Sequence, residues 1–431
     1  MIIPGWREFT MNQPMKTQIL PVTLGSFLAI AATGHAGTEE TPAVLTEKTR
    51  NHGDFAEWWS NKPFTYKNLA GPFLQELRFE GRYQYQVAYV DGSDISDNDF
   101  NRTFDEHRRF RLGVRTKMFN YFSTKAQLNL VRDARRNGGD LDWGYQDFDE
   151  LYLGFDLGKA MDGVGPFDSF TLKYGRQKYV LSREASTSSN KLLTVERSAL
   201  ANKVYGSARP TGLAVDAEAD DWTFYAALFS GGRVGGNNGV LTPPDSHMIY
   251  LGSIGYQVNE QLDLRLDAAY NDSDFGAGSE VSYRWASSLN AQYDAGPWGV
   301  IGDLIVGDNG GTDNGVTNPN RQGHFWGFIV MPYAWIIEDK LQGVVQYQYA
   351  SASNSEGIRI NSRYGRSGAN TPPANLNGGR GDQHQSLYAG LNYYIIGHSA
   401  KIQGGIEYQT METPGGDFDI LTYVLAYRMH F

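Results

Sequence analysis

Cysteine is absent from the 431-residue chain, so neither a disulfide framework nor a thiolate metal site can be built from it. That absence suits a protein crossing an oxidising compartment, and equally many that never do. No internal run of about 18 apolar residues occurs, so no transmembrane helix is expected. Mean hydropathy is low, at -0.45, but a membrane barrel stays open because only alternate residues of its strands face lipid. The formal charge of -10 argues against a nucleic-acid partner. Neither His-Glu-x-x-His nor Gly-x-Ser-x-Gly is present, so no catalytic set is expected. The eight histidines are scattered, and His107 and His430 read as wall or end residues. The acid-rich stretch Asp91-Gly-Ser-Asp-Ile-Ser-Asp-Asn-Asp99 lacks the calcium-loop pattern and reads as a solvated loop. No metal or cofactor is expected.

What the chain does have is glycine (50), tyrosine (26) and alternation. Leu77, Phe79, Gly81, Tyr83, Tyr85, Val87 and Tyr89 share one parity; Arg78, Glu80, Arg82, Gln84, Gln86 and Ala88 share the other. A strand this long with one greasy face suits a tilted membrane strand. Similar segments recur near 73–90, 104–118, 121–136, 147–158, 167–179, 206–219, 221–231, 246–258, 261–272, 282–295, 298–309, 323–337, 340–352, 383–396, 399–411 and 418–431. The connections sort themselves. Phe119-Asn120, Asn259-Glu260, Gly296-Pro297, Glu338-Asp339 and Gly397-His398 are short. They alternate with long polar gaps at 91–103, 137–146, 180–205, 232–245, 309–322 and 353–382. The reading is an all-β fold: a 16-stranded antiparallel transmembrane β-barrel, residues 73–431, with periplasmic short turns and external long loops. A large soluble β-sandwich is the alternative fold.

The two ends fit that reading. Lys16, the apolar stretch 19–33 and the small-residue site Gly34-His35-Ala36 predict a cleaved signal peptide over 1–36, with Met11 or Met15 as the true start. Residues 37–72, with Trp58 and Trp59, are expected to form an N-terminal periplasmic extension. At the other end Leu421, Tyr423, Leu425, Tyr427, Met429 and Phe431 form one apolar face. Tyr427, Met429 and Phe431 resemble the terminal signal that barrel-assembly machinery reads.

Charge is uneven. Residues 101–136 hold ten basic residues (Arg102, Arg108, Arg109, Arg111, Arg115, Lys117, Lys125, Arg132, Arg135, Arg136) against Asp105, Glu106 and Asp133, a net of +7. A charge on the lipid face near the midplane costs about 2–4 kcal/mol. The register therefore puts Phe110, Leu112, Val114, Thr116 and Met118 outward and Arg109, Arg111, Arg115 and Lys117 inward. Arg78, Arg82 and Lys173 join them by parity. A basic pore wall passes anions from one donor set to the next. The bland alternative is that these cations pair with acids such as Glu80, Glu150 and Asp156 and only stiffen the wall. The long gap Val180-Leu-Ser-Arg-Glu-Ala-Ser-Thr-Ser-Ser-Asn-Lys-Leu-Leu-Thr-Val-Glu-Arg-Ser-Ala-Leu200 carries Leu192, Leu193 and Val195, which need cover. It is expected to fold inward as the third external loop, bringing Arg183, Lys191 and Arg197 to a constriction.

Taken together, the Ser188-Ser-Asn-Lys-Leu-Leu-Thr-Val-Glu-Arg197 loop, the Leu172-Lys-Tyr-Gly-Arg-Gln-Lys178 strand and the Gly390-Leu-Asn-Tyr-Tyr394 end pattern resemble the phosphate-selective porin O and P family. The resemblance implies an outer-membrane channel, usually a homotrimer, that passes phosphate or related small anions. By position it carries a pore-lining role to Arg183, Lys191 and Arg197, and to Arg109, Arg111 and Arg115. Its implied partners are outer-membrane lipid, the assembly machinery and small anions. A weakly selective porin, a plugged structural or adhesive barrel and a barrel enzyme are the competing readings.

Overall fold

The computed structural model describes residues 55, 58, 59, 64–131, 143–205, 208–231, 248–272, 279–360, 362–365 and 374–431. The signal peptide expected over 1–36, the first part of the extension, and Arg132, Arg135 and Arg136 lie outside the described residues. One half of the ring is β1 (Leu74–Ser93), β2 (Asp99–Met118), β3 (Phe122–Val131), β4 (Trp143–Asp156), β5 (Ser169–Arg176), β6 (Thr211–Ala219), β7 (Trp222–Ser230) and β8 (Met248–Gln257). The other half is β9 (Leu262–Asn271), β10 (Trp285–Asp294), β11 (Trp298–Asp308), β12 (His324–Ile337), β13 (Leu341–Ala352), β14 (Gln383–Ile396), β15 (Ala400–Glu412) and β16 (Phe418–His430). Consecutive strands pair antiparallel, and β16 pairs with β1 from Asp419↔Ser93 to His430↔Arg82. That last ladder closes the sheet, so the ring leaves no backbone edge to lipid. The sixteen-stranded barrel read from the alternation is the observed fold.

The side-chain period of two sorts the wall. Leu289 is 55% exposed and its neighbour Asn290 1%. Outward rows hold Phe79, Leu112, Ile254, Leu304 and Leu425, whereas Gln84, Gln86, Asn392 and Gln403 are buried inside. Short turns use left-handed residues, as a tight hairpin twist requires: Phe119 and Asn120 both have positive φ, 52° and 66°.

Two departures from plain alternation matter. First, β2 carries a bulge. Gln84 pairs with Arg109 while Tyr85 pairs with His107, so Arg108 is an extra residue. Below it Phe104 and Glu106 are buried inside; beyond it Arg109 is. The extra residue keeps Arg108 and Arg109 both on the lumen side, where both contact Glu196. Second, Gly175 in β5 has φ 136°, a conformation side chains avoid. It redirects the chain just before Arg176 and Lys178.

The lumen is not evenly polar. Val90, Phe104, Phe229, Ile249, Ile305 and Phe325 of the wall pack with Leu181, Leu200, Val204, Ile358, Ile360 and Tyr364 of the long connections. The segment between β5 and β6 bonds to opposite sides of the ring. On one side Asp267 of β9 accepts from the Ser182 backbone N–H and Asp303 of β11 from that of Arg183. On the other, Lys401 Nζ of β15 donates to the Leu192 carbonyl at 2.7 Å, and Arg428 Nη1 of β16 to that of Ser189 at 2.9 Å. Leu192 and Val195 are buried by these contacts.

At the short-turn end, Thr65–Lys67 adds to the edge of β1 opposite Arg78, Leu77 and Glu76. It takes the stretch of that edge next to where β16 stops. Phe431 bonds through its backbone to Gly81. Its ring lies against Gly81 and packs with Trp59 and Phe64, at 5.8 and 4.7 Å between centroids.

Candidate functional site

The inward parity of β1–β4 supplies the floor of one cavity of about 990 Å³. It reaches from Arg78 and Arg115, near the short-turn end, to Asn129, Val131 and Gln146 at the long-loop end. Its other side is the β5–β6 segment, through Ser186, Ser188, Ser189, Asn190, Lys191, Arg197, Tyr205 and Arg209. Among the described residues its lining has twelve Lys or Arg side chains (Arg78, Arg82, Arg108, Arg109, Arg111, Arg115, Lys125, Arg176, Lys178, Lys191, Arg197, Arg209) against Glu80, Asp147, Asp149 and Glu150.

Those acids are spent on pairs. Arg115 holds Glu80 at 2.6 Å, Arg111 and Arg209 hold Asp149 at 2.6 and 3.0 Å, and Lys125 holds Glu150. Glu196, on the loop, takes Arg108 bidentately at 2.7 and 3.2 Å with Arg109 at 3.8 Å. Burial disfavours the charged Glu196, but Arg108 and Arg109 outweigh it and hold the carboxyl well below its ordinary value. Other cations bond neutral oxygens. Arg82 donates to Ser189 Oγ at 2.6 Å. Lys178 donates to the carbonyls of Ser186 and Thr187, and Arg197 to those of Glu184 and Thr187. Carbonyl and hydroxyl dipoles carry no net charge, so the Arg82 and Arg197 guanidiniums keep their positive field. Burial, with Arg197 and Arg209 nearby, holds the Lys178 ammonium well below its ordinary value. The wall is thus a braced network with an excess of positive charge; the pairing with Glu80 and Glu150 weighed from the sequence does occur.

Of the ten cations singled out by sequence, Arg78, Arg82, Arg109, Arg111, Arg115, Lys191 and Arg197 line this cavity. Three sit elsewhere. Lys117 is 63% exposed near Glu76. Lys173 pairs with Asp216 at 2.7 Å and lies over Tyr152. Arg183 pairs with Asp263, on the far side of the loop. Asp156 pairs with Lys159, not with a wall cation of the cavity. Sequence reasoning did not single out Arg108, Lys125, Arg176, Lys178 or Arg209 as site residues. The Arg108-Arg109 doublet was a signal for a bulge, and Gly175 one for a change of parity. Arg209 falls inside the expected strand 206–219, but the structure starts β6 only at Thr211, and nothing local marks the residue.

Residues 77–290 match the family model of the phosphate-selective porins O and P. Over that span the chain belongs to this family. The outer-membrane channel DcaP of Acinetobacter baumannii has the same fold at a TM-score of 0.52 and 11% identity, over 85% of this chain and 99% of that one. The anion-selective porin of Comamonas acidovorans gives 0.53 and 12%, over 82% and 99%. A loop-deletion form of OmpT from Vibrio cholerae gives 0.51 and 11%, over 82% and 99%. At these identities the likeness is one of fold. No curated protein matches. The porin is an outer-membrane channel protein, and its closed barrel and family point to passage through the lumen in place of catalysis.

Proposed function

We propose that this porin passes small anions, phosphate or polyphosphate among them, by passive diffusion along the basic cavity between β1–β4 and the β5–β6 segment. The observation that carries the reading is the lining: twelve cations against four acids in one continuous cavity. A positive wall in a narrow pore attracts anions, and shared, partly paired donors release them again. Arg82, Arg109, Arg111, Arg197 and Lys191 are the donors an anion meets. In this reading Arg183, Lys173 and Lys117 brace or flank the path. The β5–β6 segment is the inward third loop that narrows it. Residues 1–36 act as the export signal, and Tyr427, Met429 and Phe431 as the assembly signal. The functional unit is a homotrimer, as the family resemblance implies.

A second reading, a plugged structural barrel, draws on the apolar packing of Phe104, Ile305, Leu200 and Ile360 within the lumen. Single-channel recording separates the two. A diffusion channel gives discrete chloride steps that millimolar phosphate reduces, and Gln at Arg82, Arg111 and Arg197 together weakens that reduction. A plug gives no steps at all, and steps indifferent to phosphate in both proteins would remove the phosphate assignment.

A further inference from the structure

On the β5–β6 side of the cavity, two of the lining cations meet on Tyr205, which no charge pattern marks. It ends the helix Ala199–Tyr205, and most of its ring is sealed in the apolar core with Leu200 and Val204. The remaining part lines the cavity. Two guanidinium carbons lie over that ring, Arg197 at 5.2 Å and Arg209 at 5.6 Å from its centroid. Arg209 Nη1 also donates to the Tyr205 hydroxyl. Each guanidinium is fixed on its remaining side: Arg197 by the carbonyls of Glu184 and Thr187, Arg209 by Asp149 and the Ala208 carbonyl.

We propose that Tyr205 is the specificity-determining residue of the conduit: its ring holds Arg197 and Arg209 at the cavity surface, and its hydroxyl sets how much positive charge they present to a passing anion. The proposal rests on the anion-channel reading and deepens it.

Two physical effects carry it. Cations over an aromatic face are attracted by the ring quadrupole, the more strongly the less water surrounds them. The planar ring also restricts where the guanidiniums can swing. Without it, Arg209 can turn fully onto Asp149, and Arg197 can withdraw into the loop carbonyls. Both moves take positive charge off the lining. The hydroxyl adds a charge switch. Facing it are Arg209 and Arg197 on its own segment, Asp149 on β4, and Arg111 on β2 through Asp149. Burial disfavours the phenolate. Arg209 and Arg197 favour it more, so the phenol ionises below its ordinary value. Below that point Tyr205 is neutral and the two guanidiniums act with full charge; above it the phenolate cancels one of them.

The test compares wild type, Tyr205→Phe and Tyr205→Leu in planar bilayers, reading the reversal potential in a potassium chloride gradient from pH 7 to 10. Phe keeps the ring and removes the switch; Leu removes both. Burial also holds the Lys178 ammonium below its ordinary value in both proteins, so the readout is the difference between wild type and Tyr205→Phe. The expectation is that Tyr205→Phe loses less anion preference than wild type as pH rises from 7 to 10. Tyr205→Leu, with heat-modified mobility showing an intact barrel, loses anion preference already at pH 7. If Tyr205→Leu fails to fold, the Tyr205→Phe difference decides alone. An anion-selective wild type whose alkaline profile is superimposable on that of Tyr205→Phe overturns the switch. An unshifted Tyr205→Leu overturns the ring. A wild type without anion preference at pH 7 overturns the channel reading, and the role of Tyr205 with it.

Discussion

Replacing Asp149 by Asn changes the charge of the conduit with minimal change of shape. The carboxylate is 4% exposed, lines the cavity, and holds Arg111 at 2.6 Å and Arg209 at 3.0 Å. Asparagine keeps the volume and one acceptor oxygen but removes the negative charge that two guanidiniums share. Breaking a fully buried pair from one side costs about 3–5 kcal/mol; beside a hydrated cavity the lower end applies. The midpoint of heat-modified mobility should therefore fall while the barrel still assembles. Anion preference should change in the opposite sense to stability. At a separation of roughly 7 Å and an effective dielectric constant of about 20, one unit charge contributes about 2.4 kcal/mol to the energy of a passing ion. Salt screening over a Debye length of about 8 Å reduces this. Since about 1.4 kcal/mol is tenfold, a several-fold rise in the anion-to-cation permeability ratio is the conservative expectation. Single-channel current in phosphate should also fall, because a stickier site releases its ion more slowly. The assay is the reversal potential with single-channel current in chloride and in phosphate. A folded Asp149→Asn protein with unchanged or more cation-preferring permeation would refute the reasoning.

Three further outcomes follow from the same geometry. Cysteine at Thr312, in a long connection, should react with an impermeant thiol reagent on whole cells, and cysteine at Glu260, in a short turn, should not; the reverse would invert the barrel. Gly81→Val would place side-chain atoms where the Phe431 ring lies, so in vitro folding should slow and outer-membrane yield drop, and a normal yield would mean that this docking is dispensable. Glu196 is held below its ordinary value, so its contribution is complete above the unfolded value of about 4.3 and is lost as pH falls through the folded one. The heat-modification advantage of wild type over Glu196→Gln should then be constant near neutrality and shrink in acid below about pH 4; an advantage that grows in acid would contradict the assigned pairing.

The barrel was legible because lipid imposes a rule that leaves a trace in every strand. Phe79, Leu112 and Leu425 could not be exchanged with Arg78, Arg111 or Ala426 without putting charge or emptiness on the wrong face. The alternation of short and long connections gave the strand count. Legibility stopped where alternation stops. The Arg108 bulge and the left-handed Gly175 reset parity locally, and a reading in twos passes over both. The apolar filling of the lumen was hidden because Val90, Phe104 and Ile305 look like ordinary strand residues whose partners, Leu181, Ile358 and Ile360, lie far off in sequence. Arg183, Lys191 and Arg197 could be placed on one loop, but which of them turns toward the cavity depends on partners across the ring. Asp263 takes Arg183, and the carbonyls of Glu184 and Thr187 hold Arg197.

The central claim is that the basic cavity conducts anions, and the reversal potential of the reconstituted full-length protein across a potassium chloride gradient tests it most directly. The account predicts discrete conductance steps whose current reverses at a potential of the sign set by chloride. Reversal at a potential of the sign set by potassium, or a bilayer in which correctly folded protein carries no current, would contradict it.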